Sequence, residues 1–215
     1  MAAMGEKDLA SIALVRRLYE VFRGPDAAGV AELCAGNWVS DVEETLAVLG
    51  LARPATWHSL LQQLGTGCHN REQMLEELSV EHTRLFVNAY GGTPAPPYAS
   101  VYLNDQPMLG GQVTLQVIEW YKRAGVALPP DYPEPPDYLP VELEFVIHLI
   151  QSIPEAGTGQ AASQLRLVQR EFWQDHFRLW IPQFVARTTE ESQHPLYTAS
   201  AEILGAFVQQ RAVLV

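Results

Sequence analysis

Histidines, cysteines and carboxylates are the side chains of this 215-residue sequence that could carry chemistry, and their spacing argues against it. His58, His69, His82, His148, His176 and His194 never recur at i, i+3 or i, i+4. H-E-x-x-H and the paired E-x-x-H of di-iron bundles are therefore absent, and no single helix face offers two imidazoles to a metal. Cys34 and Cys68 each stand alone in helical sequence without a C-x-x-C partner. Two isolated cysteines build neither a disulfide framework nor a zinc module, and a reducing compartment fits them best. G-x-S-x-G, Walker A and dinucleotide fingerprints are missing. The glycine turns GTGC at 65–68 and GTGQ at 157–160 read as helix caps rather than phosphate cradles. No catalytic residue, metal or cofactor is expected, and a small helical metal- or nucleotide-dependent enzyme is the weakest of three readings.

The residues that do stand out are apolar and aromatic. YGGTPAPPYASVYL at 90–103 places Pro94, Pro96 and Pro97 among Tyr90, Tyr98 and Tyr102. Proline fixes φ and lacks an amide donor, so this stretch cannot be a helix interior or a central strand. Loops are mostly small and polar. An aromatic one must bury itself or keep a surface ready for a partner. A second connection, ALPPDYPEPPDYLP at 127–140, carries six prolines and is stiff rather than floppy.

The elements that hold these connections read as helices. Leu9, Ile12, Val15, Leu18, Tyr19 and Phe22 recur at helical steps, with Gly24 as the stop and Pro25 suited to the first turn of a short helix over 25–35. Ser40 with Glu43 reads as a capping box for a helix to about residue 49, Pro54 opens one to about 64, and Asn70 caps a longer one in which Met74, Leu75, Leu78, Leu85 and Phe86 supply the buried stripe. Further helices are expected over 112–124, 141–153 and about 160–175, then a shorter piece around Pro182 and a last helix from Pro195. SVYL at 100–103 is the nearest approach to a strand. The fold class is all-α, about ten helices in a single globular bundle over 1–215, with a hinge at 126–140 as the one internal boundary.

Charge narrows the partners. The chain has 14 basic and 25 acidic side chains, net −11, and a mean hydropathy of −0.04. It repels phosphate backbones and anionic lipid, so nucleic acid and the membrane surface are disfavoured and basic partners favoured. No stretch reads as a signal peptide or a membrane span.

Four stretches together resemble the TorD/DmsD family of cytoplasmic chaperones for molybdenum-cofactor redox enzymes. They are EHTRLFVNAYGGTPAPPYASVYL at 81–103, PDYLPVELEFVIHL at 136–149, FWQDHFRLWIPQF at 172–184 and HPLYTASAEILGAFV at 194–208. The resemblance implies an all-helical protein that binds the twin-arginine leader of a molybdoenzyme catalytic subunit in its apo form. The precursor is held until its cofactor is inserted. It further implies that Leu85, Phe86, Pro97, Tyr98, Asp137 and Tyr138 cluster at the leader-binding surface, to which this sequence adds Tyr102 and Glu142. Glu144, two residues on, cannot share a helix face with Glu142 and reads as a solvated or capping carboxylate. The runner-up is a nitrate-reductase-type assembly factor acting on a cytoplasmic catalytic subunit. Two departures stand out: Tyr138 replaces the family's usual histidine, and NAYGG at 88–92 replaces a G-P-G turn. A monomer is expected, with a swapped dimer permitted by the stiff hinge.

Overall fold

Leu14, Val15, Leu18 and Phe22 lie wholly buried along one side of the first helix, α1 (Glu6–Arg23), as their three- and four-residue steps require. The computed structural model describes residues 4–104, 109–129 and 131–211; parts of the two proline-rich connections, 105–108 and 130, lie outside the described residues. The helices that follow are α2 (Ala27–Ala35), α3 (Asn37–Leu49), α4 (Trp57–Gly67), α5 (Arg71–His82), α6 (Ala99–Leu103) and α7 (Gln112–Arg123). The C-terminal part contributes α8 (Leu139–Glu155), α9 (Gln160–Phe172), α10 (Arg178–Glu191) and α11 (Pro195–Arg211). The all-α expectation holds. Helix α1 packs between α3 and α8, α8 also meets α9, and α10 packs on α11. One cluster of buried apolar side chains runs from Ala10 in α1 to Val208 in α11.

Two π-helical turns interrupt the regular ladders: Thr83–Val87 prolongs α5, and Trp173–Phe177 joins α9 to α10. A π turn holds an extra residue, so it re-aims every side chain beyond it. The first turns Leu85 and Phe86 into the core, and the second places Trp173, His176 and Phe177 there.

Several local expectations are corrected. Ser40 does not cap α3: the helix already starts at Asn37, and the Ser40 amide donates to the Gly36 carbonyl at 3.0 Å. At α2 the cap is Asp26, whose Oδ1 accepts from the Gly29 amide at 2.7 Å, and Pro25 lies outside the helix. Helix α4 begins at Trp57 rather than at Pro54. SVYL at 100–103 falls in α6. The piece around Pro182 is a 14-residue helix with the proline inside it. The ring is tolerated because the amide it removes would bond to Arg178, at the junction where the π turn already breaks the ladder. Asn70 does cap α5, accepting from the Gln73 amide at 3.1 Å.

The cysteines do pair. Cys34 at the end of α2 and Cys68 at the end of α4 are joined by a disulfide, with their Cα atoms 5.1 Å apart. Sequence spacing cannot reveal a contact that only the packing of two helices creates. Among the described residues no helix is long and apolar enough to cross a membrane.

Candidate polypeptide-binding seam

The two proline-rich connections meet. Tyr98 and Tyr138 form an antiparallel bridge in which the Leu139 amide donates to the Pro97 carbonyl (2.8 Å) and the Ala99 amide to the Asp137 carbonyl (3.0 Å). Both tyrosines are extended residues directly preceding a helix, α6 and α8, so the bridge sets two helix N-termini side by side. Prolines hold the approaching chain extended, which prepares it for pairing rather than for further helix. Asp137 locks the junction. One carboxylate oxygen accepts from the Ser100 amide at 2.9 Å, inside the first turn of α6, and the other from the Thr114 hydroxyl at 2.7 Å. The Tyr121 hydroxyl adds a bond to the Pro136 carbonyl at 2.8 Å.

Above this buried clasp the rings of Tyr98 and Tyr138 stack, with centroids 5.2 Å apart and planes inclined by 29°. Both are half-buried. The Tyr98 hydroxyl donates to Glu134 at 3.3 Å and the Tyr138 hydroxyl to the Phe22 carbonyl at 3.5 Å. That carbonyl also accepts from His82 at 3.1 Å, beside Gly24, where a Cβ would come within 3.3 Å of the His82 ring. Tyr19 and Tyr132 lie close enough to feel the same carboxylates, Glu144 for both and Glu134 for Tyr132. Burial and neighbouring negative charge raise all four hydroxyls, that of Tyr98 to about 12, so the tyrosines stay neutral and hydrogen-bonding at pH 7. A depression of about 520 Å³ continues from it between α1 and α8, where Tyr19, Arg23, Glu144, Ile147 and His148 are among its walls.

The other expected site residues support this surface or lie apart from it. Leu85 and Phe86 are 0% and 2% exposed, and the Phe86 ring is enclosed by His82 (5.2 Å), Tyr197 (5.4 Å) and Phe184 (5.8 Å). Pro97 is buried within the bridge. Tyr102 packs against α10 instead, its ring 5.7 Å from Trp180 and beneath the Arg187 guanidinium at 4.9 Å. Glu142 is wholly buried, 2.6 Å from His176 Nε2, and accepts from Trp180 Nε1 at 3.0 Å. Burial pushes its carboxyl up to about 6, against the pull of His176. Asp137 and Glu142 are thus internal fasteners, whereas Glu144 is exposed, as its position two residues on requires.

Sequence reasoning missed Tyr19, Tyr132 and Glu134. Tyr19 looks like one more member of the buried stripe of α1. For Tyr132 and Glu134 a signal existed: D-Y-P-E-P-P-D-Y sets two tyrosines around an acid in a segment too stiff to hide them.

Among the described residues, eleven α-helices carry two clasped connections and a tyrosine-lined seam flanked by Glu134 and Glu144. Among the described residues no group of three or more metal-ligating side chains gathers. The profile of the family described as nitrate reductase delta subunit matches residues 49–186, and the chain belongs to that family. It is 33% identical over 141 residues to the chaperone protein TorD of Vibrio cholerae, covering 66% of this chain and 63% of that protein. The TorD of Shewanella pealeana is 30% identical over 152 residues, covering 66% and 62%, and that of Vibrio vulnificus 28% over 138 residues, covering 64% of each. The chain thus spans under two-thirds of the length of these curated relatives. A crystal structure described as a redox enzyme maturation protein from Archaeoglobus fulgidus has the same fold, with a TM-score of 0.54, 21% identity and 97% of each chain covered.

Proposed function

We propose that this chain is a system-specific chaperone of a molybdenum-cofactor redox enzyme, and that it grips the twin-arginine leader of the apo catalytic subunit at the Tyr98–Tyr138 seam. The observation that carries this reading is the stacked tyrosine pair held half-open at the junction of two family blocks, with Glu134 beside it and Glu144 beside the neighbouring Tyr19. A leader of this kind sets two guanidinium groups next to an apolar stretch. Tyrosine faces suit both halves, through cation–π contact and apolar burial. Burying roughly 300 Å² of apolar leader surface gives on the order of 7 kcal/mol before association costs. An exposed arginine–carboxylate pair gives about 0.2–1 kcal/mol. The rings supply the grip and the carboxylates the orientation. Since Leu85 and Phe86 are sealed, the apolar contact falls on Tyr19, Tyr98, Tyr132 and Tyr138 and on the depression between α1 and α8.

On this reading the protein is a cytoplasmic binding protein rather than an enzyme. It needs no cofactor and works as a monomer, and the connection at 126–140 serves as its hinge. Calorimetry with a leader peptide from the cognate subunit tests it: micromolar or tighter binding is expected, and absence of heat and of competition would refute leader recognition. A second reading draws support from the description of the matching family, that of an assembly factor acting on the mature part of a catalytic subunit. Pull-down with a leader-deleted subunit separates them, because full retention favours the second.

A further inference from the structure

Helix α2 is flanked by glycines and shallowly seated. Gly24 before it and Gly36 after it take φ of +118° and +81°, a region that favours glycine. Only Val30 and Leu33 of its nine residues are buried, and it packs mainly on α3 and α5. It forms one wall of a partly open cavity of about 240 Å³, whose other walls include Val21, Trp38, Leu78 and Tyr197 and whose rim carries Arg17, Glu20 and Arg23. The one covalent tie is the disulfide from Cys34, in its last turn, to Cys68, and both cysteines are partly exposed. A buried cross-link in a core would be a permanent brace. A partly exposed one, fastening a shallowly seated helix between two glycine hinges, is accessible to exchange. In a reducing compartment such bonds are transient and redox-sensing.

We infer that Cys34 and Cys68 form a reversible thiol–disulfide site that latches α2 over the cavity, with a small disulfide of the glutathione class as its oxidant. One cysteine thiolate attacks the oxidant, whose S–S bond breaks to release one glutathione thiolate. The second cysteine thiolate then attacks the mixed disulfide and releases the other. Two electrons and two protons pass from the chain to the glutathione disulfide, which becomes two glutathione thiols, and reduction runs the same steps backwards. Oxidised, α2 is held down. Reduced, it swings about Gly24 and Gly36 and uncovers the apolar cavity. The compartment on which this draws belongs to the chaperone reading, but the experiment uses no leader peptide, so the two fail separately.

The full-length chain is equilibrated in glutathione buffers of stepped ratio, quenched in acid and alkylated, and its mass is read. A single transition from two alkylated thiols to none is expected. Two labelled thiols at every ratio, or none even in excess reduced glutathione, would overturn the site. Amide hydrogen exchange of the wild-type chain in both end states then tests the latch. Reduction should speed exchange over residues 27–35 about tenfold and lower Tm by about 10 °C. The Cys34→Ser variant should exchange at one rate in both buffers. Equal wild-type exchange before and after reduction would overturn the latch.

Discussion

Tyr98 and Tyr138 differ from most aromatic residues of their surroundings in being only half covered, although each is held by a hydroxyl bond. Replacing Tyr98 by alanine removes a ring face that a leader would cover, and calorimetry should find affinity lowered about tenfold or more. Replacing the exposed Glu144 by alanine should lower it less than about fivefold. The reverse order would mean that charge, and not apolar contact, dominates. Glu142 belongs to the interior and acts on stability. Its folded-state proton is held more tightly than in the unfolded chain, with the carboxyl raised from 4.5 to about 6. A raised acid binds more protons folded than unfolded, so its contribution falls as pH rises from about 4.5 to 6. His82 and His194 are depressed by burial and work in the opposite direction, losing stability as pH falls through about 6.5. Comparison with the neutral Glu142→Gln variant isolates the glutamate. The Tm of the wild type should drop relative to the variant across pH 4.5–6, and a constant difference would disprove the assignment.

At the scale of elements, the clasp between the two connections is the part that positions everything else. Asp137 is 0% exposed and serves the Ser100 amide, the Thr114 hydroxyl and, through its carbonyl, the Ala99 amide. Asp137→Ala would strand the buried Ser100 amide at about 1–3 kcal/mol and free the half-buried Thr114 hydroxyl at a smaller cost, which for a chain of this length lowers Tm by several degrees. Thermal unfolding checks this, and an unchanged Tm would show that Asp137 is not a fastener. The helices were legible because their stripes follow simple periods, as in α1, and because Asn70 caps by a local rule. The burial of Leu85 and Phe86 was legible in the same kind of stripe, whereas the π turn that carries them was not, since one added residue leaves no mark in the apolar spacing. The extended-looking SVYL became helix because Asp137, 37 residues away from Ser100, caps it from another segment.

For the whole molecule, the sequence carried the family more completely than the site. Four blocks in order pointed to the TorD relatives, and the matching profile covers three of them within residues 49–186. Of the eight expected site residues, Tyr98 and Tyr138 line the seam together, Tyr102 faces α10, and the remaining five lie buried. The residues of these blocks include both buried fasteners, such as Asp137, and half-open rings, such as Tyr98, and a linear pattern does not separate the two. Tyr19 reaches the seam only because α1 packs against α8, a contact that no local rule encodes. On the proposed reading the net charge of −11 acts at this scale too, steering a basic leader toward the protein before contact.

The most direct measurement is calorimetric titration of the wild-type chain and its Tyr98→Ala,Tyr138→Ala double variant with the cognate twin-arginine leader peptide, both at a temperature where thermal unfolding shows them folded. Micromolar or tighter binding by the wild type and at least about a hundredfold loss in the variant is the predicted result. Equal affinity of the two would contradict the claim that the paired tyrosines hold the guest.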